Sequence, residues 1–170
     1  MTRLSSSTRR VLWWLMTLAL FIVLVSSSIQ ATRIVVLASK PAPADSSSAR
    51  NAVVKEAQES TAALLSYKPD TVERELTDAI ELTTGEFRRK YTNLVTDVVI
   101  PGAQQKRITA SARVPAAGVT SLSLTDAVLL VFINQTVAVG TESPEDTASS
   151  VRVTMENVDG RWLISGFDPV

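Results

Sequence analysis

The sequence predicts an α+β protein: an N-terminal transmembrane helix, then about three helices packed on a four-stranded antiparallel sheet. Three observations predict it. Residues 11 to 32 carry no charge, between Arg10 and Arg33. From 49 to about 100 apolar positions recur at helical intervals, and from 107 onward they alternate as in strands. Helices in one block and strands in the next is the order of an α+β layer architecture, not of alternating βα units.

At 170 residues the chain has room for one domain and an anchor. The centre of the uncharged run, VLWWLMTLALFIVLV from Val11 to Val25, holds nothing more polar than Thr17. A helix of about 20 residues rises roughly 30 Å, the thickness of a bilayer's hydrocarbon core. Trp13 and Trp14 fall near its start, where amphipathic rings favour the membrane–water boundary, and Phe21 lies within the span. Arg3, Arg9 and Arg10 precede it without an acidic residue, which keeps the N-terminus cytoplasmic and exports the rest. The expected organisation is a cytoplasmic tail (1–10), a transmembrane helix (11–31), a linker (32–48) and an exported domain (49–170). The protein is then a single-pass protein of the cell membrane with an extracytoplasmic C-terminal domain. A cleavable signal peptide would have Ser26-Ser27-Ser28 as its small-residue exit, but the apolar character continues from Ile29 to Ala38, longer than such a signal. Arg9-Arg10 resembles a twin-arginine export signal, and the strongly apolar core behind it favours a plain anchor.

Charge and missing residue types exclude several functions. Residues 49 to 170 hold sixteen acidic and twelve basic side chains, a balance that argues against a nucleic-acid partner. There is no histidine, which removes His-based acid–base chemistry, Ser-His-Asp triads and the commonest metal ligand. There is no cysteine either, so no disulfide braces the exported domain and a zinc site would need carboxylates alone. We therefore expect no metal, no cofactor and no catalytic set.

Each element follows in order. Ser39-Lys-Pro-Ala-Pro-Ala-Asp-Ser-Ser-Ser48 has linker composition, and Asp45 or a serine can cap the helix behind it. Ala49 to Tyr67 reads as an amphipathic helix through Val53, Ala57 and Leu64, ended by Lys68-Pro69. Asp70-Thr-Val-Glu73 has capping-box spacing and opens a short helix to about Leu82. Thr83 or Thr84 starts a third helix through Phe87, Tyr91, Leu94 and Val98, with Gly85 in its first turn and Pro101-Gly102 as its stop. Arg107 to Val119 alternates as a strand. Asp126 to Val139 is apolar on both sides in its first half, which fits a central strand covered by helices on one face and something else on the other. Thr141 to Ser150 reads as a polar loop. Val151, Val153 and Met155 alternate with polar residues, and Asp159-Gly160 is a type I′ hairpin signal before Arg161 to Phe167.

The order of helices and meander is similar to the NTF2-like and VirB8-like cone folds. More specific are Gly85-Glu-Phe87 followed by Tyr91, then Ile100-Pro101, Asn134-Gln135-Thr136-Val137, Val153-Thr-Met155 and Val158-Asp-Gly-Arg-Trp162. Together with the anchor these resemble the Mce-associated membrane proteins of mycobacteria and their relatives, over roughly residues 50 to 170. The resemblance implies an NTF2-like cone and a non-enzymatic accessory subunit that stabilises or assembles an Mce-type lipid and sterol import complex in the envelope. Its partners are then Mce-type subunits and the membrane lipid bilayer. Two alternatives stand beside it: a lipid- or sterol-binding module whose cone cavity carries cargo, and a VirB8-like secretion-channel component.

For the cargo alternative, the residues expected to line a cavity or core are Phe87, Tyr91, Phe132, Met155, Trp162 and Ile164. Trp162, Ile164 and Gly166 should share one face of the last strand, and Leu163, Ser165 and Phe167 the other. Tyr67 and Tyr91 are the hydroxyl donors that a steroid-isomerising site would need, with Asp97 or Asp126 as carboxylate base, and solvated surface positions are the plainer expectation for both acids. Asn134-Gln135-Thr136 matches a glycosylation acceptor, and on a strand its plainer role is hydrogen bonding across the sheet. Arg88-Arg89-Lys90 is read as a solvated face, with anionic headgroups or an acidic partner as the alternative.

Overall fold

In a computed structural model, residues 47–170 are described. The tail, the anchor with Trp13, Trp14 and Phe21, and all but the end of the linker lie outside the described residues. Among the described residues no helix is long and apolar enough to cross a membrane.

Among the described residues four helices precede four strands. Helix α1 spans Ser47–Leu64, α2 Val72–Ile80, and α3 Gly85–Leu94; a π-helical segment, Val95–Val99, then joins α3 to α4, Ile100–Lys106. Strands β1 (Ile108–Leu122), β2 (Asp126–Val139), β3 (Glu145–Val158) and β4 (Arg161–Pro169) form one sheet in the order β1-β2-β3-β4. It is an antiparallel meander, and the helices lie on one of its faces.

The α1 stripe explains its docking. Val53, Ala57, Ser60, Thr61 and Leu64 recur every three or four residues and are buried, so one face of the helix meets the sheet. Opposite them are Leu129, Val131 and Ile133 of β2, Val151, Val153 and Met155 of β3, and Ile164 of β4. Burying each such side chain contributes about 1.5–3 kcal/mol before entropic costs. A second, smaller core forms between the helices from Val72, Leu76, Val95 and Ala103.

Two of the local expectations for the helices are corrected. The capping box does not form: Thr71 precedes α2 without a side-chain cap, and the Lys68 N–H instead donates to Glu75 Oε2 at 2.8 Å. Nor does Pro101-Gly102 stop the third helix, which runs on to Lys106 and ends at Arg107 in the left-handed region, φ 56°. Proline lacks an N–H and crowds the carbonyl four residues back, here Asp97. The π-helical turn just before it takes up that misfit, and the Ile100 N–H reaches the Val95 carbonyl five residues away.

In the sheet, Asp159 and Gly160 both have positive φ, 52° and 84°, as the type I′ signal required. β3 begins at Glu145, so most of the expected polar loop is strand, held by pairs such as Thr136↔Asp146 and Gln135↔Thr147. The last strand does not alternate throughout. Ile164 is in the core and Phe167 stacks on Phe87 of α3, whereas a Cβ at Gly166 would meet Thr154 at 3.2 Å, on the other face. A glycine there lets the two strands close at this shift of face.

Candidate functional site

The residues expected to line a cavity fall into two groups. Met155 and Ile164 are fully buried in the main core, with Trp162 packed against it. Phe87 stacks between Tyr91 and Phe167, with ring centroids 5.8 and 6.2 Å apart. All five belong to the main core or pack against it. Phe132 is apart from them: it lies on the opposite face of β2 and is 46% exposed. Its even-numbered position decides this, because the buried positions of β2 are the odd ones, Ala127 to Ile133.

The tyrosines are structural in their contacts. The Tyr91 hydroxyl donates to the Leu64 carbonyl at 2.7 Å and so closes the C-terminal end of α1. Burial, and then the neighbouring Tyr67, push the Tyr91 phenol well above its ordinary value, and burial also raises Tyr67. Asp97 and Asp126 are exposed, on a helix and at a strand start. Asp126 accepts from the Thr125 hydroxyl at 2.6 Å. The structure does not bring either carboxylate to a buried tyrosine.

The basic run is engaged within its own surface. Arg88 pairs with Glu81, and Lys90 with Glu86 at 3.0 Å. The hydrogen bond and charge of Lys90 hold the Glu86 carboxyl below its usual range. A shallow cleft of about 450 Å³ opens beside α2, between Asp70, Glu73, Arg74, Asp78 and Gln104. Asp70 at its rim is already bound by Arg107 at 2.6 Å.

The most distinctive surface is the sheet face turned away from the helices. Among the described residues no layer lies over this face of the central strand. Val128, Leu130 and Phe132 make an apolar ridge along β2. In register beside it, β1 carries Ser121, Gly118 and Ala116, and β3 carries Thr154, Arg152 and Ser150. A Cβ at Gly118 would meet no atom within 4 Å, so the furrow beside the ridge is open. Arg152 and Arg113 project from the same face, as do Asp126 and Glu156, which sit directly opposite each other across β2 and β3. Two like charges in register repel. Among the described residues none of these four charges has an ion-pair partner within 4 Å. Sequence patterning flagged this stripe only as apolar on both sides of a strand. A ridge without a covering helix cannot be told from a buried strand by periodicity.

Both edges of the sheet are stitched to the helical layer. Tyr67 and Ala110 exchange two backbone hydrogen bonds of 2.9 Å at the β1 edge. At the β4 edge the Thr84 N–H donates to Ile164 and the Ile164 N–H donates to Leu82, at 2.8 and 2.9 Å. Paired edges leave the open face, not the rims, as the surface available for docking along those stretches.

A helical layer on one face of a four-stranded antiparallel meander defines an α+β domain. The chain is similar to an IcmL-like type IV secretion system protein from Legionella pneumophila, with TM-score 0.61 and 11% identity over 71% of this chain and 93% of that one. It is also similar to the VirB8 protein of Agrobacterium tumefaciens, with TM-score 0.53 and 14% identity over 68% of this chain and 88% of that one. At such identities the likeness is one of fold. By sequence the chain belongs to the family described as uncharacterized protein Rv1363c/MT1408-like, whose profile matches residues 14–170. A relative named outer membrane protein Rv1973, from Mycobacterium tuberculosis, is 53% identical over 126 residues, which is 74% of this chain and 79% of that protein.

Proposed function

We propose that this protein is a non-enzymatic accessory subunit that stabilises a multi-protein complex of the cell envelope. The observation that carries it is the open sheet face, where an apolar ridge and four unpaired charges stand ready for another surface. Such a face offers contact area and complementarity, and the packing of Met155 and Ile164 in the core, with Phe87, Tyr91 and Trp162 against it, supports this reading over a cargo cavity. The Mce-type lipid and sterol import complex is the assembly that the motifs from Gly85 to Trp162 favour. The name of the Mycobacterium tuberculosis relative supports an envelope location, and the uncharged run from Val11 supports a single-pass anchor with the domain outside. The fold likeness to the Legionella secretion protein favours a second reading, a component of a secretion channel.

The test is a pull-down of the full chain from detergent-solubilised envelopes through a C-terminal tag, with mass spectrometry of proteins and lipids. Recovery of Mce-type subunits, lost in a Phe132→Glu variant that still folds, is the expected result. Recovery of secretion-channel subunits moves the second reading to first place. Lipid without protein partners overturns both in favour of cargo binding.

A further inference from the structure

We propose that the outer edge of β1, from Ala116 to Leu122, takes up a short uncharged segment of an envelope protein as an added strand of the sheet. This rests on the accessory role and adds a second contact, on the rim of the sheet and away from its open face.

The first observation is which main-chain groups point outward. Residues of an edge strand alternate between bonding the neighbouring strand and pointing away from it. At Ala110 both groups point away, because they bond Tyr67. The Ala112 N–H donates to Ser66 and the Val114 carbonyl accepts from Gln58, so they point away as well. Ala110 and Ala112 lie opposite Val137 and Gln135, odd-numbered residues of β2. Both irregularities of this pairing insert their extra residue in β1, so β2 keeps its alternation throughout. The partners of its other odd residues, Ala117, Val119 and Leu122, therefore also turn their N–H and C=O groups outward. Among the described residues nothing bonds these groups. The edge already pairs with one extended segment at Tyr67, and an added strand continues that pairing.

The second observation is that this stretch is unguarded. Exposed edges are commonly blunted by charge or proline. The end of β4 carries Asp168 and Pro169, whereas no charged residue lies between Arg113 and Asp126. Pro115 and the bulge beside it close the edge toward Val114, and the second bulge follows Val119. So short an opening suits a peptide segment. It offers far less than the roughly 800 Å² that each partner buries in a stable interface, which excludes edge-to-edge pairing with a second copy.

The third observation gives the chemistry of the segment. Helix α1 packs chiefly on β1, and Val54 stands with Ala117, Val119 and Leu122 as partly buried apolar residues against the core. On the other side Ala116, Gly118 and Ser121 are exposed, small and uncharged. An added strand thus carries apolar residues toward α1 and small or polar ones on its opposite side. A charge toward α1 would be desolvated without a partner. Main-chain bonds hold such a strand and its alternating side chains select it.

The experiment compares two variants at one position of the full chain, tagged at its C-terminus. Ala117→Pro removes an outward N–H that the fold does not use, and Ala117→Ser keeps it. Recovery of envelope proteins from detergent-solubilised envelopes is expected to fall about tenfold with Ala117→Pro and to change less than about twofold with Ala117→Ser. Circular dichroism is expected to be unchanged in both. Hydrogen exchange needs no variant: the amides of Ala117, Val119 and Leu122 are expected to exchange about tenfold or more slowly in the recovered assembly than in the purified chain. Full recovery with Ala117→Pro overturns the inference, as does an equal loss with both variants. Amides that exchange equally fast in both samples also overturn it, and this measurement decides if Ala117→Pro fails to fold. Loss of partners through Phe132→Glu but not Ala117→Pro overturns it while leaving the accessory role intact. A wild type that recovers no envelope protein overturns both.

Discussion

Ser60 and Thr61 sit on the buried stripe of α1, and their hydroxyls find no hydrogen-bond partner among the described residues. Their value is size: together with Ala57 they let the helix backbone approach the sheet. An unsatisfied buried hydroxyl costs about 1–3 kcal/mol. Thr61→Val keeps the shape and removes the polar group, so urea denaturation should show it to be more stable by about 1 kcal/mol. The opposite sign would mean the hydroxyl has a partner after all. Gly85 opens α3 with φ +60°, a region that costs a side-chain-bearing residue roughly 1–2 kcal/mol. Gly85→Ala should destabilise by about that much in the same assay, although its Cβ would touch nothing within 4 Å.

The buried tyrosines give a pH dependence with a definite sign. Both phenols are raised in the folded chain, so the folded state keeps protons that the unfolded chain releases above pH 10.0. Stability is then level below that pH and falls as pH rises through it, by up to about 1.4 kcal/mol per unit for each tyrosine. Thermal melts between neutral and strongly alkaline pH should show this fall. Tyr91→Phe should lessen its slope while lowering neutral-pH stability by about 1 kcal/mol, through the lost bond to the Leu64 carbonyl.

At the scale of elements, the helical layer is fastened to the sheet by backbone as well as by side chains. Tyr67 with Ala110 at one edge and Leu82–Thr84 with Ile164 at the other act as short extra strands. Ser66 adds a side-chain bond to the Ala112 N–H at 3.0 Å, and Gln58 reaches the Val114 carbonyl at 3.2 Å. These links join the helix connections to the strands, so helices and sheet should open as one unit. Hydrogen exchange followed by NMR is expected to find the amides of Tyr67, Thr84, Ala110 and Ile164 protected to the same degree as those of central β2. Fast exchange at Tyr67 and Thr84 alone would show that the edges fray independently. Elements were legible where one face is buried and the period is clean: α1, β2 and the hairpin turn at Asp159-Gly160. They were less legible where two local signals compete. Pro101 reads as a stop because its cost to an α-helix is local, and only the packing of Val95, Ala103 and Ile100 around the inter-helix core holds the helix together across it.

At the scale of the whole molecule, the open face links the fold to the proposed role. Because Phe132 is 46% exposed on that face, Phe132→Glu should change the stability of the purified chain by less than about 1 kcal/mol in thermal melts while it removes partner recovery in the pull-down. A larger loss of stability would show that the ridge serves the fold and not a partner.

The α+β class and the order of helices before strands were determined by the sequence alone, as was the lack of imidazole and thiol groups, because periodicity, turn residues and composition are properties of the chain in any conformation. The candidate site was not. Phe87, Tyr91, Phe132, Met155, Trp162 and Ile164 look alike as apolar residues, and the sequence groups them together. Tertiary structure separates them: a one-residue difference in strand parity turns Phe132 away from the helices, and a shift of face near Gly166 brings Phe167 to Phe87. Which face the helices cover is settled by long-range pairing, through the bonds at Tyr67 and Thr84, and no local window of residues contains both partners of either bond.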